Sequence, residues 1–120
     1  MDSNEFTRQF KDFWKVALAF SKTAHREGLL VLEDRLEEVD EAQRPVFKIG
    51  MRLTVDGTDA SYIEKVLTNM VNLETDKDAK VLKTIQKEAV LGIQESVATR
   101  YLALLLNSYV DRELWNSEEE

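Results

Sequence analysis

The chain contains no cysteine. That absence excludes disulfide staples, thiolate nucleophiles and cysteine-rich zinc sites, and it fits a reducing compartment. Proline occurs once and glycine four times. So little turn-forming punctuation argues against an all-β fold and favours long helices. Histidine also occurs once, as His25. Long apolar runs are missing as well. The longest uncharged stretch rich in large apolar residues is Tyr101–Val110, between Arg100 and Asp111, whereas a bilayer-spanning helix needs about 20 such residues. The opening, MDSNEF, shows no basic leader followed by an apolar run, so no secretory signal is expected. A soluble, cytoplasmic protein is the expectation. Net charge is −7 and no basic patch stands out. Lys77, Lys80, Lys83 and Lys87 are interleaved with Asp76, Asp78 and Glu88. Nucleic acid is therefore not an expected partner.

What is present is helical periodicity. Hydrophobic residues make up 43% and charged residues 32% of 120 positions, a globular balance in the length of one domain. Phe6, Phe10, Phe13, Ala17, Phe20 and Ala24 recur at spacings of three and four, building one stripe along a first helix. Ser3 or Asn4 is positioned to cap it. The pattern continues past Gly28 through Leu29, Leu30, Leu32, Leu36 and Val39 and ends before Pro45. At 100° per residue the stripe swings by roughly 100° at Gly28. This predicts a long first helix that either bends there or is buried on two sides. A second helix is expected from Pro45 to Val55, with proline in its first turn. Asp56-Gly57 then reads as a turn, with Thr58 or Asp59 capping a third helix through Ile63, Val66, Leu67 and Met70. The polar stretch from Glu74 to Lys80 reads as its solvated extension, and Val81, Leu82, Ile85 and Ala89 restore the stripe before a break at Gly92. The last helix, Ser96 to Leu114, reads as apolar nearly all round. The sum is an all-α, compact bundle of about four helices over residues 1–115, followed by a disordered acidic tail at 116–120.

The chemistry-bearing patterns are few. Asp56-Gly57-Thr58-Asp59 is similar to the DxDGT phosphatase loop, but that chemistry needs an aspartate where Thr54 stands, at the end of a strand. A capped turn between helices accounts for it. Metal sites in helical bundles use Glu-x-x-His, and Lys22 occupies the glutamate position before His25. Asp76-Lys77-Asp78 lacks the glycine and terminal glutamate of a calcium loop. The chain is expected to be non-catalytic, with no cofactor and no metal. Two surfaces invite partners instead. If helix 1 runs on to Glu37, then Lys22, Arg26, Glu33 and Glu37 lie within about 60° of one another around the axis, a mixed-charge face suited to a steered protein contact. On the last helix, Tyr101, Leu102, Leu105, Leu106 and Tyr109 offer more apolar surface than one side of a small bundle hides, which predicts a homodimer.

Ala24-His25-Arg26-Glu27-Gly28-Leu29-Leu30-Val31-Leu32-Glu33 resembles the A-R-R-E-G-L-L-A-L-E segment of the MotA flagellar stator family, within the wider MotA/TolQ/ExbB-like class. Further on, Leu53-Thr54-Val55-Asp56-Gly57-Thr58-Asp59 with Ile63 is similar to that family's LVVDGTD…I segment, in the same order. The resemblance covers roughly residues 17–73, the cytoplasmic loop after the family's second membrane helix. It implies a surface that engages the rotor's switch protein or a stator-associated protein at the flagellar motor base. Glu33 falls on the family's glutamate, and His25, next to Arg26, falls on its basic position. The family's four membrane helices have no counterpart of sufficient length here, so ion conduction is not implied.

Overall fold

The structure, a computed structural model, describes residues 1–117. Five α-helices and two 3₁₀ segments make up the described residues, and no strand occurs among them. The helices are α1 (Ser3–Glu27), α2 (Pro45–Val55), α3 (Ala60–Leu73), α4 (Lys77–Gln94) and α5 (Thr99–Asn107). The all-helical class holds; the count of about four does not.

Helix α1 starts at Ser3, and its cap is Asp2, one residue before the first of the two expected. The Asp2 carboxylate accepts from the Glu5 amide at 2.8 Å, satisfying an orphan donor of the first turn. Its stripe buries Phe10, Phe13, Ala17 and Phe20 as the spacing predicts, with Trp14 and Leu18 beside them. Phe13 and Phe20 meet the ring of Phe47 edge-on at 5.0 and 5.1 Å, which locks α2 across α1.

The first helix does not run through Gly28. Gly28 donates to Ala24 O at 2.8 Å and takes φ +91° and ψ 165°, a region open to glycine alone in practice. A 3₁₀ segment, Leu29–Glu38, follows. At three residues per turn, Leu32 and Leu36 point about 120° apart. Both are fully buried, and the segment packs against α1 and α2 together. Burial on two sides is the correct half of the expectation, and a tighter winding achieves it.

Helix α2 has the expected bounds. Gln86 of α4, itself buried, caps it by accepting from the Val46 and Phe47 amides at 3.1 Å each. At its other end Gly57 N–H donates to Thr54 O and Thr58 N–H to Leu53 O, both at 3.0 Å, with Gly57 at φ +79°. This pair of bonds is a Schellman stop. Midway, Gly50 lets α2 approach α4 and α3 closely, since a Cβ there would lie 2.6 Å from Val90 Cγ2 and 2.9 Å from Leu67 Cδ1.

The polar stretch after Met70 is a break, not an extension. Asp76 caps α4 by accepting from the Ala79 amide at 2.9 Å, and Glu74 pairs with Lys83 at 2.9 Å. Helix α4 then forms the centre of the fold, packing on the other four helices. Another Schellman pair ends it, Ser96 N–H to Ile93 O and Val97 N–H to Gly92 O, here with a serine at φ +62°.

The last helix is shorter and more two-sided than expected. It ends at Asn107, whose carboxamide donates to Asn116 O at 2.8 Å and accepts from Asn116 N at 3.2 Å. That pairing folds the following chain back. Only Leu102 and Leu106 of its apolar residues are fully buried, while Tyr101 and Leu104 face outward. Of the tail expected to be disordered, Asn116 is tied down in this way, and residues 118–120 lie outside the described residues.

Candidate protein-contact surface

The last turns of α1 present Lys22, His25 and Arg26, all exposed. They lie outside the buried arc because Ser21 and Thr23 take the inward positions there, with Ala24 half-buried. Ser21 Oγ lies 2.7 Å from Thr99 Oγ1 and His25 Nε2 lies 3.0 Å from Val97 O. Both contacts pin this end of α1 to the start of α5. The Arg26 guanidinium side chain is 64% exposed, 3.6 Å from Glu27, a pair of little energetic weight in water.

Gly28 then turns the chain, and Glu33 and Glu37 follow on the 3₁₀ segment, both exposed. They do not share a helix face with Lys22 and Arg26 as the continuous-helix reading required. The 3₁₀ winding also separates Glu33 from Glu37 by about 120°. The row that stays exposed along the whole segment is Val31, Asp34 and Glu37. Beyond it Glu38, Asp40 and Glu41 are exposed too, with Arg35 half-buried. The surface is therefore polarised: cations at the end of α1, carboxylates along the segment after Gly28. Glu33 makes no ion pair with a described residue.

Sequence reasoning missed Asp34 and two apolar side chains on this surface, Leu30 at 73% and Val31 at 37% exposed. A period of three instead of 3.6 would have turned them outward, but nothing in the residue types signals that winding.

The second motif is a turn. Asp56 follows a helix, not a strand, and Gly57 closes the Schellman stop. Among the described residues no three of His, Asp and Glu gather so as to hold a metal ion.

For the expected self-association set the structure corrects two members. Leu102 and Leu106 are fully buried in the core of their own chain, so they offer nothing to a partner. Leu105 is half-buried. Tyr101 and Tyr109 are exposed at 56% and 38%, joined by Leu104 at 52%, which the sequence reading omitted. Partial burial, and to a lesser extent the charge of Glu88, raise the Tyr109 phenol above its ordinary value.

Two curated relatives match about half of the chain. Motility protein A of Borreliella burgdorferi is 43% identical over 63 residues, 52% of this chain and 22% of that protein. Motility protein A of Bacillus subtilis is 38% identical over 58 residues, 48% of this chain and 20% of that protein. The match thus spans about a fifth of the length of these relatives. No family model matches the chain, and no solved structure matches it significantly. The resemblance to MotA is a true similarity over about half the chain. Among the described residues no helix is long and apolar enough to cross a membrane.

Proposed function

We propose that this chain is a non-catalytic, stator-related contact module of the flagellar motor. Its polarised surface (Lys22, His25 and Arg26 on α1; Glu33 and Glu37 beyond Gly28) docks a rotor switch or stator-associated protein on the cytoplasmic side. The similarity to Motility protein A supports the setting. One observation supports the surface. Arg26 and Glu33 lie in the stretch that resembles the stator loop, and they are not spent on each other: Arg26 faces solvent beside Glu27, and Glu33 is exposed without an ion-pair partner among the described residues. Charges left open to water steer association and set partner choice. Leu30, the most exposed apolar residue of this surface, supplies a desolvating contact between them.

The test is binding of the chain to the purified flagellar rotor switch protein of the same organism. Glu33→Lys and Arg26→Glu should each weaken affinity about tenfold and flatten its salt dependence. Unchanged affinity in both variants removes this surface from the account.

A further inference from the structure

We infer that the outward face of α5 is where a second copy of this chain docks, the two α5 helices lying antiparallel across a two-fold axis near Leu104. Tyr101 and Leu104 stand three residues apart on one face, and Leu105 and Tyr109 extend it towards the following turn. The inward residues Leu102 and Leu106 hold the helix in the core, and no described residue covers the outer face at Tyr101 and Leu104. Aromatic side chains on a rigid helix are strong interface anchors.

Charge names the occupant. The chain carries −7 overall, and between Gly28 and Ala42 Glu33, Asp34, Glu37, Glu38, Asp40 and Glu41 stand against Arg35 alone. A second copy meeting that segment with its own is repelled. From α5 to Leu114 the charges are Arg100, Asp111, Arg112 and Glu113, which sum to zero. Glu88, the acid of α4 that reaches Tyr109, lies 3.8 Å from Lys87 Nζ. Like chains can therefore approach here without a net penalty. An antiparallel pair centred between Leu104 and Leu105 also sets Arg100 of one copy opposite the turn that follows Asn107 in the other, the turn that carries Tyr109 and Asp111. The Arg100 guanidinium already lies over the Tyr101 ring at 4.8 Å, at the edge of the apolar patch where that carboxylate arrives. The symmetry makes the contact twice. Two faces of a nine-residue helix fall short of the about 800 Å² per partner of a standard interface. Association is therefore expected in the micromolar range or weaker.

Sedimentation equilibrium of the full chain over a hundredfold concentration range tests this, with the same surface probed by charge exchange. Arg100→Asp and Asp111→Arg should each weaken the dimer about tenfold, and the double exchange should restore it to within about threefold. Because the chain lacks cysteine, Leu104→Cys places one thiol beside the axis and should yield a disulfide-linked dimer on mild oxidation. Tyr62→Cys, exposed on α3, should not. A monomer at every concentration, a double exchange as weak as either single variant, or cross-linking as efficient through Tyr62→Cys overturns the proposal.

Discussion

His25 Nε2 lies 3.0 Å from the carbonyl oxygen of Val97, 72 positions further along the chain. A carbonyl only accepts, so the ring carries its hydrogen on Nε2. The bond ties the stretch that resembles the stator loop to the turn between α4 and α5. His25→Ala should cost about 0.5–1.5 kcal/mol, whereas His25→Gln, which keeps a donor at similar reach, should cost less. Thermal unfolding of the two variants checks the order.

Two positive φ angles carry opposite predictions. Gly28 sits at +91° with nothing within 4 Å of an added Cβ. Gly28→Ala is therefore uncrowded yet should destabilise by about 1–2 kcal/mol through backbone strain alone. Ser96 sits at +62° with a side chain that pays that strain already. Ser96→Gly should stabilise by about 0.5–1 kcal/mol. Urea midpoints moving in opposite directions are the expected readout.

Gln86 closes the start of α2 from inside the core. Its Oε1 accepts from the Val46 and Phe47 amides, and its Nε2 donates to Gln43 O at 3.4 Å. Gln86→Leu keeps the volume and removes every one of these partners, leaving two buried donors unmet. A loss of about 2–4 kcal/mol is expected in urea unfolding. A loss below about 1 kcal/mol would mean that water replaces the side chain at this helix start.

The Glu74 carboxylate is held below the ordinary carboxylate range, first by its hydrogen bond from Lys83 and then by the Asp76 amide. A lowered pKa in the folded chain means that the pair adds stability above the ordinary carboxylate value. That contribution is lost as pH falls through the lowered value. Carbon-13 titration should find Glu74 deprotonating below the ordinary carboxylate range, and Lys83→Met should move it back up.

Much of the fold was legible because its signals are local. The phenylalanine spacing marked the buried side of α1, Pro45 marked the start of α2, and Asp56-Gly57 marked its end. Three features were not legible. The break at Asp76 was hidden because the apolar stripe resumes on the far side of a polar stretch, although Asp76 three residues before Ala79 is itself a cap signal. The end of α5 depends on Asn107 binding the backbone of Asn116, a tertiary contact with no periodic trace. The segment after Gly28 has leucines at spacings of three and four that suit an α-helix, yet packing between α1 and α2 winds it as 3₁₀. The charged residues around Gly28 are exposed as the sequence led one to expect, but their grouping on one helix face failed with the helix itself.

The charged surface on either side of Gly28 is the proposed contact with a motor protein. Amide shift mapping of the nitrogen-15-labelled chain, titrated with the purified rotor switch protein, tests it most directly. Shift changes concentrated between Lys22 and Glu38, shrinking as salt rises, are expected. Saturable binding with changes confined to α5 or α3, or no changes at concentrations that saturate a full-length stator, would contradict it.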